Sequence, residues 1–462
     1  MILRALDVPF DPAKDFARLL ANRPAGFLLE SAEGPERLAR YSILGVDPVA
    51  EVRLAEGRLE VEGDAPDPKA GEKPTQYLKR LIDSRAVLDQ GYRYLGGLVG
   101  AIGYEYAATL EPSVPARGRG EAGPAFEFGL YLDGVVFDRL TRRTLYFSHG
   151  EDRGARFEAA MRAETPAPSL AIGEPRSNLD RAGFEKMVVE AKERVGRGDI
   201  FQVVLARKIE ADYEGSLLAY YEELKRLNPS PYMYYVRFAR GREIVGASPE
   251  MLVRLDGGRV ETFPIAGTRR MGATPEETDA LAKELLADEK EAAEHAMLVD
   301  LARNDVGRVA EFGTVRVAEL RRVERYSHVQ HLVSKVEGRL RPGMSAFDAL
   351  HALFPAGTVS GAPKVEAMKI IRELEPAARG AYAGAVGYFS FNGNADSAIA
   401  IRTLVGENGR ATVMAGAGIV HDSDPMKEWE ETEAKARALV KVMERFRAGP
   451  EPSSRGGGKG SP

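Results

Sequence analysis

Two pairs of glutamates spaced E-x-x-E, Glu291 with Glu294 and Glu428 with Glu431, are the side chains in this sequence best suited to chemistry. Residues three and four apart share one face of an α-helix, so Glu291, Glu294, Leu298 and Leu301 fall on a single stripe. A stripe that passes from carboxylates into leucines is not purely solvated. In the second stretch, "EWEETEAK", Glu428, Glu431 and Lys435 run along the edge of an apolar stripe of Trp429, Ala436, Leu439, Met443 and Phe446. Oxygen donors with room for waters are what Mg2+ prefers. Charge-rich helices held by i,i+4 pairs show the same pattern, and spacing alone leaves both readings open.

The elements that must position these groups carry their own signals. Thr274 as N-cap, Pro275 at the first helical position and Glu277 closing a capping box predict a helix that runs through "DALAKELLADEKEAAEHAMLVDLA". Asp424 followed by Pro425 predicts the start of the second acidic helix. "NLDRAGFEKMVVEAKERVGRGD" reads as a helix ending at glycine, followed by a strand, "IFQVVLARKIE". Two hairpins are predicted, "VAEVRLAEGRLEVEG" about a Glu-Gly turn and "YLDGVVFDRLTRRTLYFS" about Thr141 to Arg143, in a largely β-structured N-terminal part. Near the C-terminus "YAGAVGYFSF", "SAIAIRTLV" and "ATVMAGAGIV" read as three strands of one antiparallel meander, with Asn-Gly in both connections. "GGLVGAIGYEYA" lacks the arrangement of a nucleotide loop and reads as a closely packed strand.

The 462 residues suffice for more than one core. The expected division is an N-terminal lobe over 1–153, an Ala/Pro-rich crossing at 154–178, a catalytic region over 179–447 and a disordered tail at 448–462. A net charge of -5 supplies no cationic field for nucleic acid or an anionic membrane, which favours small-molecule chemistry. No cysteine is present, so thiolate metal sites, disulfides and cysteine nucleophiles are excluded. No run approaches the roughly 18 apolar residues of a membrane helix, and a cytoplasmic protein is expected.

Taken in order, "GDIFQVVLAR", "NPSPYMYYV", "GASPEMLVRL", "FPIAGTRRMG", "DEKEAAEHAMLVDLARNDVGRV", "RYSHVQHLVSKVEG", "FPAGTVSGAPK", "AGAGIVHDSDP" and "EWEETEAKA" resemble the chorismate-utilising enzymes. "LLES" at Leu28 to Ser31 extends the resemblance into the N-terminal part. It implies an α+β fold, large and two-lobed, with two stacked, mainly antiparallel sheets in the core and helices outside. The implied reaction needs Mg2+, aminates chorismate at ring position 2 with loss of the position-4 hydroxyl, and eliminates pyruvate to leave anthranilate for tryptophan biosynthesis.

By the same resemblance, Glu294 and Glu431 correspond to direct Mg2+ ligands, with Glu291 and Glu428 beside them. Glu250 corresponds to the general acid, which requires a pKa raised by burial or by nearby carboxylates. His331 belongs to the pyruvate-eliminating half of the reaction, Tyr382 and Arg402 hold the enolpyruvyl carboxylate, and Lys435 approaches the ring carboxylate. Thr358 and the run Ala415, Gly416, Ala417, Gly418 complete the pocket. Without the resemblance, Glu250 reads as a turn residue, His331 as a core histidine and "AGAG" as a flexible strand end.

Two positions select among relatives. Ala266, close to Thr268 in "FPIAGT", stands where relatives making aminodeoxychorismate commonly carry a nucleophilic lysine. Gln202 stands where water-adding relatives carry a lysine base; an amide cannot deprotonate water, whereas ammonia is already nucleophilic. Both point to ammonia, and the absent cysteine implies that a separate glutamine amidotransferase subunit releases it. Leu29, Glu30, Ser31, Tyr41 and Ser42 on one side and Asn228, Pro231, Tyr232, Met233 and Tyr234 on the other correspond to a tryptophan feedback site. The alternatives are an enzyme that stops at aminodeoxychorismate for folate, and a non-catalytic regulatory protein that binds tryptophan or chorismate.

Overall fold

Apolar and alternating strands pair into two large antiparallel sheets, one 13-stranded and one 11-stranded. They are seen in a computed structural model that describes residues 1–32, 40–88, 91–118, 120, 123–326 and 329–447. The expected tail at 448–462 lies outside the described residues, as does part of the stretch that follows "LLES". The sheets stack face to face over a core of aromatic and branched side chains. Phe27 of the larger sheet meets Tyr131 of the smaller edge-on at 4.6 Å between ring centroids, and Tyr94 packs on both Phe147 and Tyr388. Burying such rings contributes on the order of 1.5–3 kcal/mol each, which makes this layer a principal tie between the sheets.

Each sheet draws strands from both ends of the chain. Gly26–Glu30 pairs with Tyr232–Arg237 in the larger sheet, and Gly97–Ile102 pairs with Ala385–Ser390 in the smaller. Residues 154–178 contain the helix Gly154–Arg162 and the short strands Leu170–Ile172 and Arg176–Ser177, both of which pair with Gln202–Gly215. The two predicted hairpins form at Ala50–Ala55 with Arg58–Gly63 and at Asp133–Asp138 with Arg143–Ser148. The glycine-rich "GGLVGAIGYEYA" holds the strand Gly97–Ile102, where a Cβ on Gly100 would meet the Glu127 carbonyl at 2.0 Å.

Two expectations about continuity are corrected. The helix predicted to run on from Pro275 is two helices, Pro275–Ala287 and Glu289–Gly307. Asp288 interrupts it because its carboxylate caps the second helix, accepting from the Lys290 and Glu291 amides. The run "SAIAIRTLV" is likewise not one strand of a single meander. It spans the end of Ala395–Ile399, paired in the smaller sheet, and the start of Thr403–Glu407, paired in the larger, so the C-terminal strands form two hairpins in different sheets. Between them Arg402 adopts a left-handed backbone with φ of 50°, which turns the chain from one sheet to the other.

The acidic helices sit on different sheets. Glu289–Gly307 packs on Ile265–Arg270 and Val329–Arg339 of the smaller sheet, whereas Pro425–Arg445 packs on Arg410–Ile419 of the larger. Asp424 caps the latter and its Ala436, Leu439, Val442 and Met443 are buried. The glutamates of each helix edge therefore approach one another across the gap between sheets.

Candidate active site

The chain crosses between sheets at two adjacent places, and each crossing carries an ionisable side chain. Glu243–Ser248 belongs to the larger sheet and Met251–Asp256 to the smaller, with Glu250 between them. The second crossing carries Arg402. The crossings are bonded together: the Ile399 amide donates to the Glu250 carbonyl at 3.0 Å, the Ala247 amide to the Arg402 carbonyl at 3.1 Å, and the Ser248 hydroxyl to the Ile399 carbonyl at 2.7 Å. A non-glycine residue held at positive φ stores strain that surrounding bonds must sustain.

Both side chains face a cavity of about 520 Å³, a size suited to a small metabolite. Glu250 is 8 % exposed, and burial pushes its carboxyl up to about 7. Thr358, Lys435 and Arg402 oppose that rise, so burial is its cause and no neighbouring carboxylate contributes. Thr358 Oγ1 is buried without a hydrogen bond of good geometry, yet it lies near enough to Glu250 to favour the ionised form.

His331, in the strand Val329–Arg339, lines the same cavity. Its Nδ1 lies 3.0 Å from the Gly267 carbonyl, which can only accept, so Nδ1 carries the hydrogen and Nε2 is the bare base. Burial lowers its pKa, and Arg402 adds to the effect. Thr268 Oγ1 stands 3.0 Å from the same Nδ1. Gln202, Ala266, Thr268, Tyr382 and Ala415 also line the cavity; Ala417 does not and is buried in the hydrophobic core.

Gly416 and Gly418 lie within the fully paired strand Arg410–Ile419, rather than at a flexible end, and side by side with Val204 and Ala206 of Gln202–Gly215. Their missing side chains keep the cavity open. A Cβ on Gly416 would stand 2.8 Å from the Leu205 carbonyl and 2.9 Å from the Tyr382 hydroxyl, whereas one on Gly418 meets only the movable end of Gln202, at 2.6 Å. Gly416→Ala is expected to cost roughly 1–3 kcal/mol of stability and Gly418→Ala distinctly less, read as urea unfolding midpoints. Equal midpoints would contradict this account.

The acidic helix edges form one wall. Glu294, Glu428 and Glu431 line the cavity. Burial raises Glu294, with the neighbouring Glu291 and more distant Glu431 adding to it; burial and Glu431 raise Glu428. Glu291, expected at the site, does not line the cavity; its carboxylate accepts from Arg269 at 3.2 Å. Lys435 pairs with Glu431 at 2.6 Å and donates to the Gly416 carbonyl at 3.1 Å. Among the described residues no three His, Asp or Glu side chains are grouped closely enough to hold a metal ion as they stand. The donor set is nevertheless all oxygen, and the burial and, less strongly, the neighbouring carboxylates that raise Glu294 and Glu428 disfavour charges that a cation would offset, so these residues fit Mg2+.

Lys290 and Lys427 line the wall as well and were not singled out from the sequence. Their signal was present in the i,i+4 spacing of Lys290 to Glu294 and Lys427 to Glu431. Around the cavity they supply cations that a doubly anionic ligand would meet.

A second, smaller cavity of about 60 Å³ is lined by Leu29, Glu30, Ser31, Tyr41, Tyr232, Met233 and Tyr234, joined by Arg93, Tyr388 and Asp396. Leu29 and Glu30 pair directly with Tyr234 and Met233 on adjacent strands. Ser42, Asn228 and Pro231 do not line it; Ser42 Oγ and Asn228 Nδ2 are buried without a hydrogen-bond partner among the described residues. Glu30 is already engaged by Lys225 at 2.7 and 2.8 Å and by the Tyr221 hydroxyl.

Comparison with known proteins places this geometry. Residues 25–441 match the family described as chorismate binding enzyme. A protein of Methanothermobacter thermautotrophicus called anthranilate synthase component 1 is 48 % identical over 435 residues, covering 94 % of this chain and 92 % of its own. One of the same name from Aquifex aeolicus is 45 % identical over 471 residues, covering 94 % and 92 %. Among solved structures, anthranilate synthase component I from Streptococcus pneumoniae superposes with a TM-score of 0.78 at 38 % identity, over 88 % of this chain and 93 % of that one.

Proposed function

The chain belongs to the chorismate-binding enzyme family, and we propose that it carries out the anthranilate-forming reaction of the relatives it resembles. Chorismate and ammonia give anthranilate, pyruvate and water. The observation that carries this reading is the buried Glu250 carboxyl, held near neutrality beside Arg402 where the two sheet crossings meet. A carboxyl at about 7 retains its proton long enough to give it to the departing position-4 hydroxyl, which leaves as water.

Ammonia attacks ring position 2 directly: Ala266 has no group to add to the ring, and the Gln202 amide has no basicity to activate water. His331, with Nε2 unprotonated, takes the proton that position 2 must lose as the ring becomes aromatic and pyruvate departs. Tyr382 and Arg402 hold the enolpyruvyl carboxylate, and Lys435 the ring carboxylate. Glu294 and Glu431 would hold Mg2+, with Glu291 and Glu428 beside them. The ion, when bound, offsets the substrate carboxylates against the acidic wall and draws electron density from the ring.

A chain without cysteine cannot form the thioester that releases ammonia from glutamine, and a component 1 implies a component 2 that does so. Tryptophan is proposed as the ligand of the second cavity, where aromatic walls suit an indole once side chains move to widen the space of about 60 Å³. Because Glu30 is already paired, the ligand's ammonium must share that carboxylate with Lys225. A cytoplasmic setting completes the proposal; among the described residues no helix is long and apolar enough to cross a membrane.

The test uses the purified chain with chorismate, an ammonium salt and Mg2+, followed by anthranilate fluorescence. Fluorescence that EDTA abolishes and tryptophan depresses is the expected result. Chorismate consumed without fluorescence would indicate aminodeoxychorismate instead, and no consumption would refute the catalytic reading. Tryptophan without effect would remove the feedback assignment alone.

A further inference from the structure

Arg379 lies outside the cavity and has no part in the chemistry above, yet its guanidinium ties together the wall on which the substrate rests. It is 4 % exposed and forms a two-pronged pair with Glu375, Nε at 2.9 Å and Nη2 at 2.5 Å. Nη1 donates to the Val359 carbonyl at 2.7 Å, and Nη2 donates to the Val204 carbonyl at 2.7 Å. One face of the fork covers Tyr104 at 4.5 Å from the ring centroid, and the group also stacks on Tyr382 at 5.6 Å. Glu375 in turn accepts from the Ala206 amide at 2.8 Å.

Val204, Val359 and Tyr382 all line the main cavity, and they come from three separate segments of chain. Buried carbonyls need donors, and a planar guanidinium can serve a carboxylate and two carbonyls at once while presenting flat faces to aromatic rings. An ammonium offers the same charge without the fork. The neighbouring Arg379 and Gly380 amides donate to Glu105 at 2.8 and 3.0 Å, which fixes the guanidinium's own backbone.

We propose that Arg379 is a positioning residue that sets the pose of chorismate by locking Tyr382, Val359 and Val204 into one rigid wall. The inference rests on the chorismate reading of the cavity. It predicts that Arg379→Lys, which keeps the buried charge, raises the KM for chorismate by about tenfold or more, since small misplacements of a bound substrate are costly. The KM for ammonium should not change.

The closing experiment measures both KM values with ammonium as nitrogen source for the wild type, Arg379→Lys, Tyr382→Phe, the double variant and Tyr104→Leu, alongside thermal unfolding. Arg379→Lys and Tyr382→Phe should be non-additive in chorismate KM, because the first acts through the second. Should Arg379→Lys not fold, Tyr104→Leu decides: it removes one stacking face, leaves the Glu375 pair, and is expected to raise the same KM by a smaller factor. A folded variant with reduced kcat and unchanged chorismate KM, or an additive cycle, would overturn the proposal. A wild type that forms no anthranilate would instead overturn the reaction itself.

Discussion

Glu250→Gln lowers kcat for ammonia-dependent anthranilate formation by about 10²- to 10⁴-fold, the range expected when a general acid is lost, and leaves the KM for chorismate within a few-fold. The amide keeps the shape of the carboxyl and has no proton to give. In the wild type at fixed free ammonia, kcat/KM should fall as pH rises through about 7, where Glu250 ionises, and the variant should lack that alkaline limb. Stability also falls as pH rises. Because the folded carboxyl titrates at about 7 rather than at the usual 4.5, its favourable contribution is complete below pH 4.5 and lost as pH rises through 7. Above that, the fold carries a buried charge that costs on the order of 3 kcal/mol. Glu250→Gln should therefore unfold at higher urea than wild type at pH 8 and at a similar concentration at pH 4.5. A variant less stable at both pH values, or one that retains turnover, would contradict this assignment.

Glu294→Gln is the second large effect. Loss of one of the proposed Mg2+ ligands is expected to reduce turnover by on the order of 10³-fold, matching the several kcal/mol that a Lewis-acidic ion supplies. Independently of turnover, Mg2+ with chorismate should raise the wild-type unfolding temperature and leave that of Glu294→Gln nearly unchanged. Without metal the sign reverses. Burial and Glu291 raise the Glu294 carboxyl above its ordinary range, so its ionised form weakens the fold once pH exceeds that range, and the neutral amide should melt higher at neutral pH. A variant whose unfolding still responds fully to Mg2+ would show that the ion is held elsewhere. These two variants separate proton donation from metal binding, because only the first should retain the Mg2+ response.

Where local rules act within a few residues, the sequence was legible. The Thr274 and Asp424 caps, the left-handed Gly198 that ends Arg181–Arg197 and the hairpin between Ala50–Ala55 and Arg58–Gly63 all form as their signals predict. Legibility failed at Asp288 and at Arg402. An aspartate inside a helical pattern reads as a tolerated interior residue until its carboxylate is seen to cap the next helix. An arginine inside an apolar run reads as part of a strand, since nothing local announces a positive φ. Glu375 and Arg379 carried no signal at all: a glutamate and an arginine four apart look like a solvated helical pair, and their burial was visible only in the fold.

The sequence by itself determined the chemistry available to this protein: no thiol, a set of oxygen donors at helical spacing, the Ala266 methyl and the Gln202 amide that supply neither nucleophile nor base, and the motifs that carry the family resemblance. Only the tertiary structure decided which of those groups meet and in what protonation state. Glu250 and Arg402 become neighbours because strands distant in sequence pair into two sheets whose crossings lie side by side. Glu294 and Glu431 share a cavity because their helices ride on different sheets. Residue identity and spacing act over a turn or a strand, whereas desolvation, which sets the Glu250 and His331 pKa values, depends on everything packed around them.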